Sequence, residues 1–277
     1  MTNETNVLVE NNSKVKSSNV VAGVIIAACL IIGVIIWKYV MGSPSNFEGG
    51  DPENGHPLPG NILGMVYKGG YVVPVLMGLL LMTFVFSIER YFVISKASGK
   101  GQLDKFVAQI KSDVADGNIQ AAIDACDEQQ GSVANAIRSA LVKYQEVKRE
   151  GFNSEEAEEA IQKELEQATS LEMPMLEKNM TVLATLVSIG TLVGLLGTVS
   201  GMIKAFSGLA TSGAPDQAAL ANGISEALIN TATGIATSTV ATISYNLFTS
   251  KIDTLTYFID EAGNTITQAY RRARGVK

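Results

Sequence analysis

The sequence predicts an all-α fold: a multi-span helical membrane protein with long helices extending into the cytoplasm. Three observations predict it. Four stretches, 20–40, 71–94, 180–206 and 223–248, are long and apolar enough to cross a bilayer as helices. Between them, 95–179 carries its apolar residues at helical spacing. Lysine and arginine collect in 1–19, 95–150 and 251–277, whereas 42–70 and 207–222 together hold only Lys68. Four crossings then leave all three basic segments, and both termini, on the cytoplasmic side.

Composition narrows the function. Charged residues make up 17% of the 277 and the net charge is -6, spread over the polar segments. With no concentrated basic face, nucleic acid is not an expected partner. The two cysteines, Cys29 and Cys126, are too few for a disulfide framework and read as small buried residues. The single histidine, His56, has no second ligand nearby, so no metal is expected. No Ser/His/Asp set or phosphate-binding glycine loop points to an enzyme or a cofactor. Too few spans, and no paired broken helices, argue against a substrate transporter.

Taken in order, residues 1–19 form a polar cytoplasmic tail with Lys14 and Lys16 just before the first span. The run 20–40 is longer than a signal-peptide core and no Ala-x-Ala site follows, so it is expected to stay as an extra transmembrane helix. Residues 41–70 read as a periplasmic loop, irregular over 42–61, where it is rich in glycine and proline and acidic through Glu48, Asp51 and Glu53. The span 71–94 follows, with Pro74 in its first turn, where proline is tolerated.

The cytoplasmic helical domain, 95–179, reads as helices over 102–116, 118–129 and 132–149, punctuated by Gly117, Gly131 and Gly151. Asn153 caps a further helix, with Glu156 three residues on and an acidic first turn. Pro174 is expected to kink that helix without ending it, so that it runs into 180–206 as one rod. A periplasmic turn, 207–222, holds Gly213, Pro215 and Asp216. After 223–248 a cytoplasmic C-terminal helix, 249–277, ends basic with Arg271, Arg272, Arg274 and Lys277.

The span 180–206 is unusual for one facing lipid. It has no charge before Lys204. Gly190, Gly194, Gly197 and Gly201 recur every three or four residues, a face on which another helix can approach closely. Thr191 and Thr198 are seven apart. In 223–248, Thr231, Ser238 and Tyr245 share one face, and Glu226, Asn230, Thr233 and Thr237 the adjacent one. Such hydroxyls either bond back to their own helix or line a polar path.

Because the connecting turn is short, the two spans are antiparallel neighbours. Thr198 lies six residues before Lys204 and Thr231 five after Glu226. At ~1.5 Å per residue both threonines fall roughly 7–9 Å below Lys204 and Glu226. Those two charges are expected to face each other near the outer mouth; the alternative is that each snorkels separately to the interface. No Asp, His or second Glu occupies mid-depth. Hydroxyls do not titrate near neutral pH, so a proton carrier has to come from a partner.

Four segments carry a family resemblance: Ile-Glu-Arg-Tyr-Phe-Val-Ile at 88–94, Leu-Glu-Lys-Asn-Met-Thr-Val-Leu-Ala-Thr at 176–185, Val-Gly-Leu-Leu-Gly-Thr-Val-Ser-Gly-Met at 193–202, and Ile-Ser-Glu-Ala-Leu-Ile-Asn-Thr-Ala-Thr-Gly at 224–234. Over about 65–257 the chain resembles the MotA/TolQ/ExbB proton-channel family, its ExbB branch most closely. The resemblance implies a homopentamer in the bacterial cell inner membrane, multi-pass, around a dimer of ExbD-like helices in the central pore. It implies that the proton motive force drives motion passed to a TonB-like protein for TonB-dependent outer-membrane transport. By the same resemblance, Thr198 and Thr231 match the family's pore-facing threonines and Glu226 its acidic residue in the last span. Thr191, Thr233, Ser238 and Lys204 are candidate supporting groups. The family core has three spans, which leaves 20–40 as an addition. The extra hydroxyls Thr233, Thr237 and Thr239 keep a sodium-coupled relative open beside protons, and a TolQ-like or gliding-type motor belongs to the same class.

Overall fold

The computed structural model describes residues 22–53, 55–211 and 217–273. The tail 1–19 with Lys14 and Lys16, the turn residues Gly213, Pro215 and Asp216, and Arg274 and Lys277 lie outside them. The described residues are nearly all helical: α1 (Ala22–Met41), α2 (Ile62–Tyr67), α3 (Val73–Ala97), α4 (Leu103–Ala115), α5 (Ile119–Gln129), α6 (Gly131–Glu150), α7 (Ser154–Glu177), α8 (Met180–Thr211) and α9 (Gln217–Ala273). Three stretches among them, Ala22–Met41, Gly70–Ala97 and Ser154–Gly208, are long and apolar enough to cross a membrane. The expected fourth crossing, 223–248, lies inside α9, where hydroxyls, amides and Glu226 dilute the apolar residues.

The chain forms two compact units. The first contains the described residues up to Ser87 together with Thr181–Tyr245. Here α1 crosses α3 at a pair of glycines. A Cβ on Gly33 would sit 2.7 Å from the Pro74 carbonyl oxygen, and one on Gly78 2.8 Å from the Leu30 side chain, so only glycine permits this approach. The segment 42–61, expected to be irregular, has no α-helix among its described residues, and it is organised around the buried Asn46. Its amide donates to the Val40 and Met41 carbonyls, both at 2.9 Å, and its Oδ1 accepts from Asn61 Nδ2 at 3.0 Å. Asn61 Oδ1 in turn accepts from Gly64 N at 3.0 Å and so caps α2. Tyr67 closes the segment by stacking on Trp37 with ring centroids 4.8 Å apart. α2 follows that stretch, inside the expected 41–70 loop; at six residues it is too short to leave a periodic trace. The turn between α8 and α9 is also shorter than 207–222, because the alanine-rich start of α9 favours helix from Gln217 on.

The second unit contains Ile88–Met180 and the described residues from Asn246. The apolar periodicity is its core: Phe106, Ile110 and Val114 of α4, Ile123 and Cys126 of α5, Ile137, Leu141 and Tyr144 of α6, Ile161 and Leu165 of α7, and Ile252, Leu255, Ile259 and Tyr270 of α9 are all buried. Tyr144 and Tyr270 meet edge to face at 5.1 Å. Burial pushes the Cys126 thiol up from 9.0 to about 12, with Asp127 adding to the effect. Asn153 Oδ1 accepts from Glu156 N at 2.8 Å and caps α7. Lys111–Glu261 and Arg271–Glu158 ion pairs tie α4 and α7 to α9, each at 2.5 Å.

The expected continuous rod through residue 180 does not form. Pro174 sits inside α7, but the helix ends at Glu177, and Asn179 takes φ 63° before α8 begins. Asparagine tolerates this left-handed conformation better than most residues. The break is held by Arg90, only 1% exposed. Its guanidinium donates to the Met175 and Leu176 carbonyls at 3.1 Å, groups that a broken helix leaves without partners. Glu89 accepts from Arg90 through both oxygens, at 2.7 and 2.5 Å, and from Asn179 Nδ2 at 3.2 Å. Two of the four family-like segments thus supply one network.

Candidate functional site

The candidate site is the α8–α9 crossing in the first unit. Its closeness comes from glycine on both helices. A Cβ on Gly190 would lie 2.7 Å from Ser238 Oγ, one on Gly194 3.0 Å from the Asn230 carbonyl oxygen, and one on Gly197 2.5 Å from Asn230 Cβ. On Gly201 it would meet Ala227 N and the Gly223 carbonyl oxygen, both at 2.8 Å. Gly234 of α9 answers Gly190 and Gly194 in the same way. The backbones therefore come near enough for short side chains to bridge the helices directly.

Three polar rungs cross the gap. Thr191 Oγ1 donates to Ser238 Oγ at 2.8 Å. Seven residues along α8, the Thr198 and Thr231 hydroxyls are in direct hydrogen-bond contact. Thr198 Oγ1 also reaches the Gly194 carbonyl at 3.3 Å, and Thr231 Oγ1 donates to the Ala227 carbonyl at 3.2 Å. Six residues further, Lys204 Nζ donates to Glu226 Oε1 at 2.5 Å. Glu226 is buried and Lys204 half exposed, so the acid's charge is answered inside the subunit by a cation that keeps contact with its surroundings. Thr233 is not part of this series; it bonds back to the Ile229 carbonyl at 2.8 Å. Thr237, fully buried, does the same with the Thr233 carbonyl at 2.9 Å.

The turn ahead of α3 completes the outer rung, a feature that sequence reasoning missed. Asn230, fully buried, donates Nδ2 to the Gly69 carbonyl at 2.9 Å. Gly70 has φ 77°, and a Cβ there would lie 2.4 Å from Glu226 Oε1, so both backbone and space require glycine. Lys204 Nζ lies 5.9 Å from the Tyr71 ring centroid. The one available signal was the Gly-Gly pair just before an apolar span.

Chemically, the rungs offer donors and acceptors in series but no group that changes charge at the threonine level. The fold is that of a helical membrane protein, with a hydroxyl-bridged helix pair in its first unit. The chain belongs to the MotA/TolQ/ExbB proton channel family, whose model matches residues 130–261. It is 30% identical over 159 residues to the Tol-Pal system protein TolQ of Pseudomonas aeruginosa, covering 57% of this chain and 69% of that one. It is 34% identical over 110 residues to the biopolymer transport protein ExbB-like 3 of Synechocystis sp., 39% of this chain and 52% of that protein. With the biopolymer transport protein ExbB of Salmonella typhimurium it shares 41% over 70 residues, 25% of this chain and 29% of that one. The matched stretch thus spans about half the length of the Synechocystis relative.

Proposed function

We propose that this chain is an ExbB-like subunit of a proton-driven motor in the bacterial inner membrane. In this reading five copies surround a dimer of ExbD-like helices, and the proton motive force is passed to a TonB-like protein to energise outer-membrane transport. The segments 20–40, 71–94, 180–206 and 223–248 cross the membrane, and 95–179 and 249–277 are cytoplasmic. The observation that carries the reading is the Thr198–Thr231 hydroxyl contact, held by a glycine crossing and lying one to two turns from a self-neutralised Lys204–Glu226 pair. A path of hydroxyls without its own titratable group suits a partner that brings a carboxylate to it.

A TolQ-like role in envelope constriction is the second reading, supported by the match that covers 69% of the Pseudomonas TolQ. Deletion of the chain separates the two. Loss of TonB-dependent uptake with normal cell separation supports the ExbB-like role; chaining and envelope leakage with normal uptake supports the TolQ-like one. Native mass of the complex purified through its partner tests the five-to-two composition. Collapse of the proton gradient against collapse of the sodium gradient in reconstituted vesicles tests the ion.

A further inference from the structure

We propose that α2 is an interfacial anchor whose Ile62, Leu63 and Met65 contact lipid in the leaflet where α1 ends. These three side chains are 72%, 42% and 47% exposed, and they form the outward face of a helix whose other face is tied down. Gly64, buried, packs on the Asn46 backbone, where a Cβ would lie 2.8 Å from its carbonyl oxygen. The apolar face is therefore fixed in place and turned away from the protein.

Depth selects the occupant. Tyr67, the last residue of α2, stacks on Trp37, and Trp37 Nε1 donates to the Tyr67 carbonyl at 3.4 Å. Trp37 lies four residues inside the end of α1, a helix long and apolar enough to cross a membrane. At ~1.5 Å per residue that sets the end of α2 about 6 Å inward from the end of α1. An interfacial helix buries its apolar face about 5–10 Å into the headgroup–acyl boundary, which is this depth. Trp37 and Tyr67, with the exposed Tyr71 beside Trp37 and the exposed Tyr39 two residues further along α1, have the composition of an aromatic interface belt. The apolar face thus lies at the depth where α1 leaves the acyl chains, and lipid rather than water or protein is its occupant.

Trp37 is the one tryptophan in the chain, which makes the test direct. The full chain carrying Trp37→Phe and Leu63→Trp is reconstituted, as purified, in phosphatidylcholine vesicles brominated at the headgroup end or the methyl end of the acyl chains. Emission from position 63 is expected to be lost mostly to the headgroup-end bromines and to resist acrylamide. A Val142→Trp control in the second unit is expected to behave in the opposite way. Quenching of position 63 by acrylamide and not by bromine places the face in water and overturns the proposal. Blue-shifted emission that neither reagent quenches places it against protein, a second copy or a partner, and overturns it equally. Should Trp37→Phe disturb the stack on Tyr67, a nitroxide at Leu63→Cys with Trp37 retained gives the same decision. Relaxation by oxygen over a water-soluble nickel chelate supports lipid contact, and the reverse order refutes it.

Discussion

Replacing Lys204 by methionine isolates the outer rung. The change keeps the length of the side chain and removes the cation, leaving the buried Glu226 carboxylate facing the Gly70 backbone without its donor. Removing one partner of a fully buried ion pair costs about 3–5 kcal/mol. Lys204 is half exposed, so the expected cost is lower, about 2 kcal/mol. Glu226→Gln acts differently, because the lysine left behind can turn its ammonium outward and keep its stem packed. Its expected cost is about 1 kcal/mol or less, that of one net hydrogen bond. The double variant leaves no orphaned charge and should recover part of the loss, with a coupling of about 1–2 kcal/mol in the cycle. The assay is equilibrium unfolding of the full chain in detergent for the wild type, both singles and the double. Additive effects, or a Glu226→Gln variant less stable than Lys204→Met, would refute the pairing and the burial asymmetry together.

Gly201→Val puts branched carbons against backbone atoms that a Cβ alone would meet at 2.8 Å, so the helices must part by about 1 Å to restore ordinary contact. The expected result is a loss of about 1–3 kcal/mol in unfolding and of the Thr198–Thr231 contact, read as weaker cross-linking between cysteines placed at those two positions. Arg90→Met should leave the Met175 and Leu176 carbonyls without their donor and Glu89 with Asn179 as its remaining partner, at a cost of about 3 kcal/mol, with Asn179→Ala milder at about 1 kcal/mol; thermal melts rank the two. Cys126 should resist alkylation at pH 8 until the protein unfolds, since its thiol titrates near 12 in the fold. Because that value is raised, its stabilising contribution is complete below about pH 8.5 and is lost as the pH rises toward 12, which a pH series of unfolding midpoints measures.

The apolar spans and the core of the second unit were legible because both write a repeating pattern into the sequence. Ile110, Ile137 and Leu165 stand at the spacing that buries them. The register of α8 on α9 could be counted, since a short turn makes the helices antiparallel; that count puts Thr198 opposite Thr231 and Lys204 opposite Glu226, and the structure has each pair in contact. What escaped depends on single residues and distant partners. The break at Lys178–Asn179 is one left-handed backbone choice, held by Arg90 from 85 and 86 residues away. Asn230 looked like one more polar residue of its span, yet its amide is bound to Gly69, 161 residues earlier in the chain. Thr233 had the right residue type and the right helix, but its hydroxyl is spent on its own backbone, which periodicity does not reveal. The order of 42–61 rests on one buried amide, Asn46, in a segment whose glycines and prolines signal only turns.

The most direct test of the account is ion-driven activity of Thr198→Val and Thr231→Val, measured in complex with the native partner while native mass reports assembly. Valine matches threonine in shape, and each remaining hydroxyl keeps a backbone acceptor, Gly194 or Ala227, so stability should change by less than about 1 kcal/mol. The account predicts intact complexes that have lost ion-driven activity. Full activity in both variants would contradict it and reduce the threonine pair to helix packing.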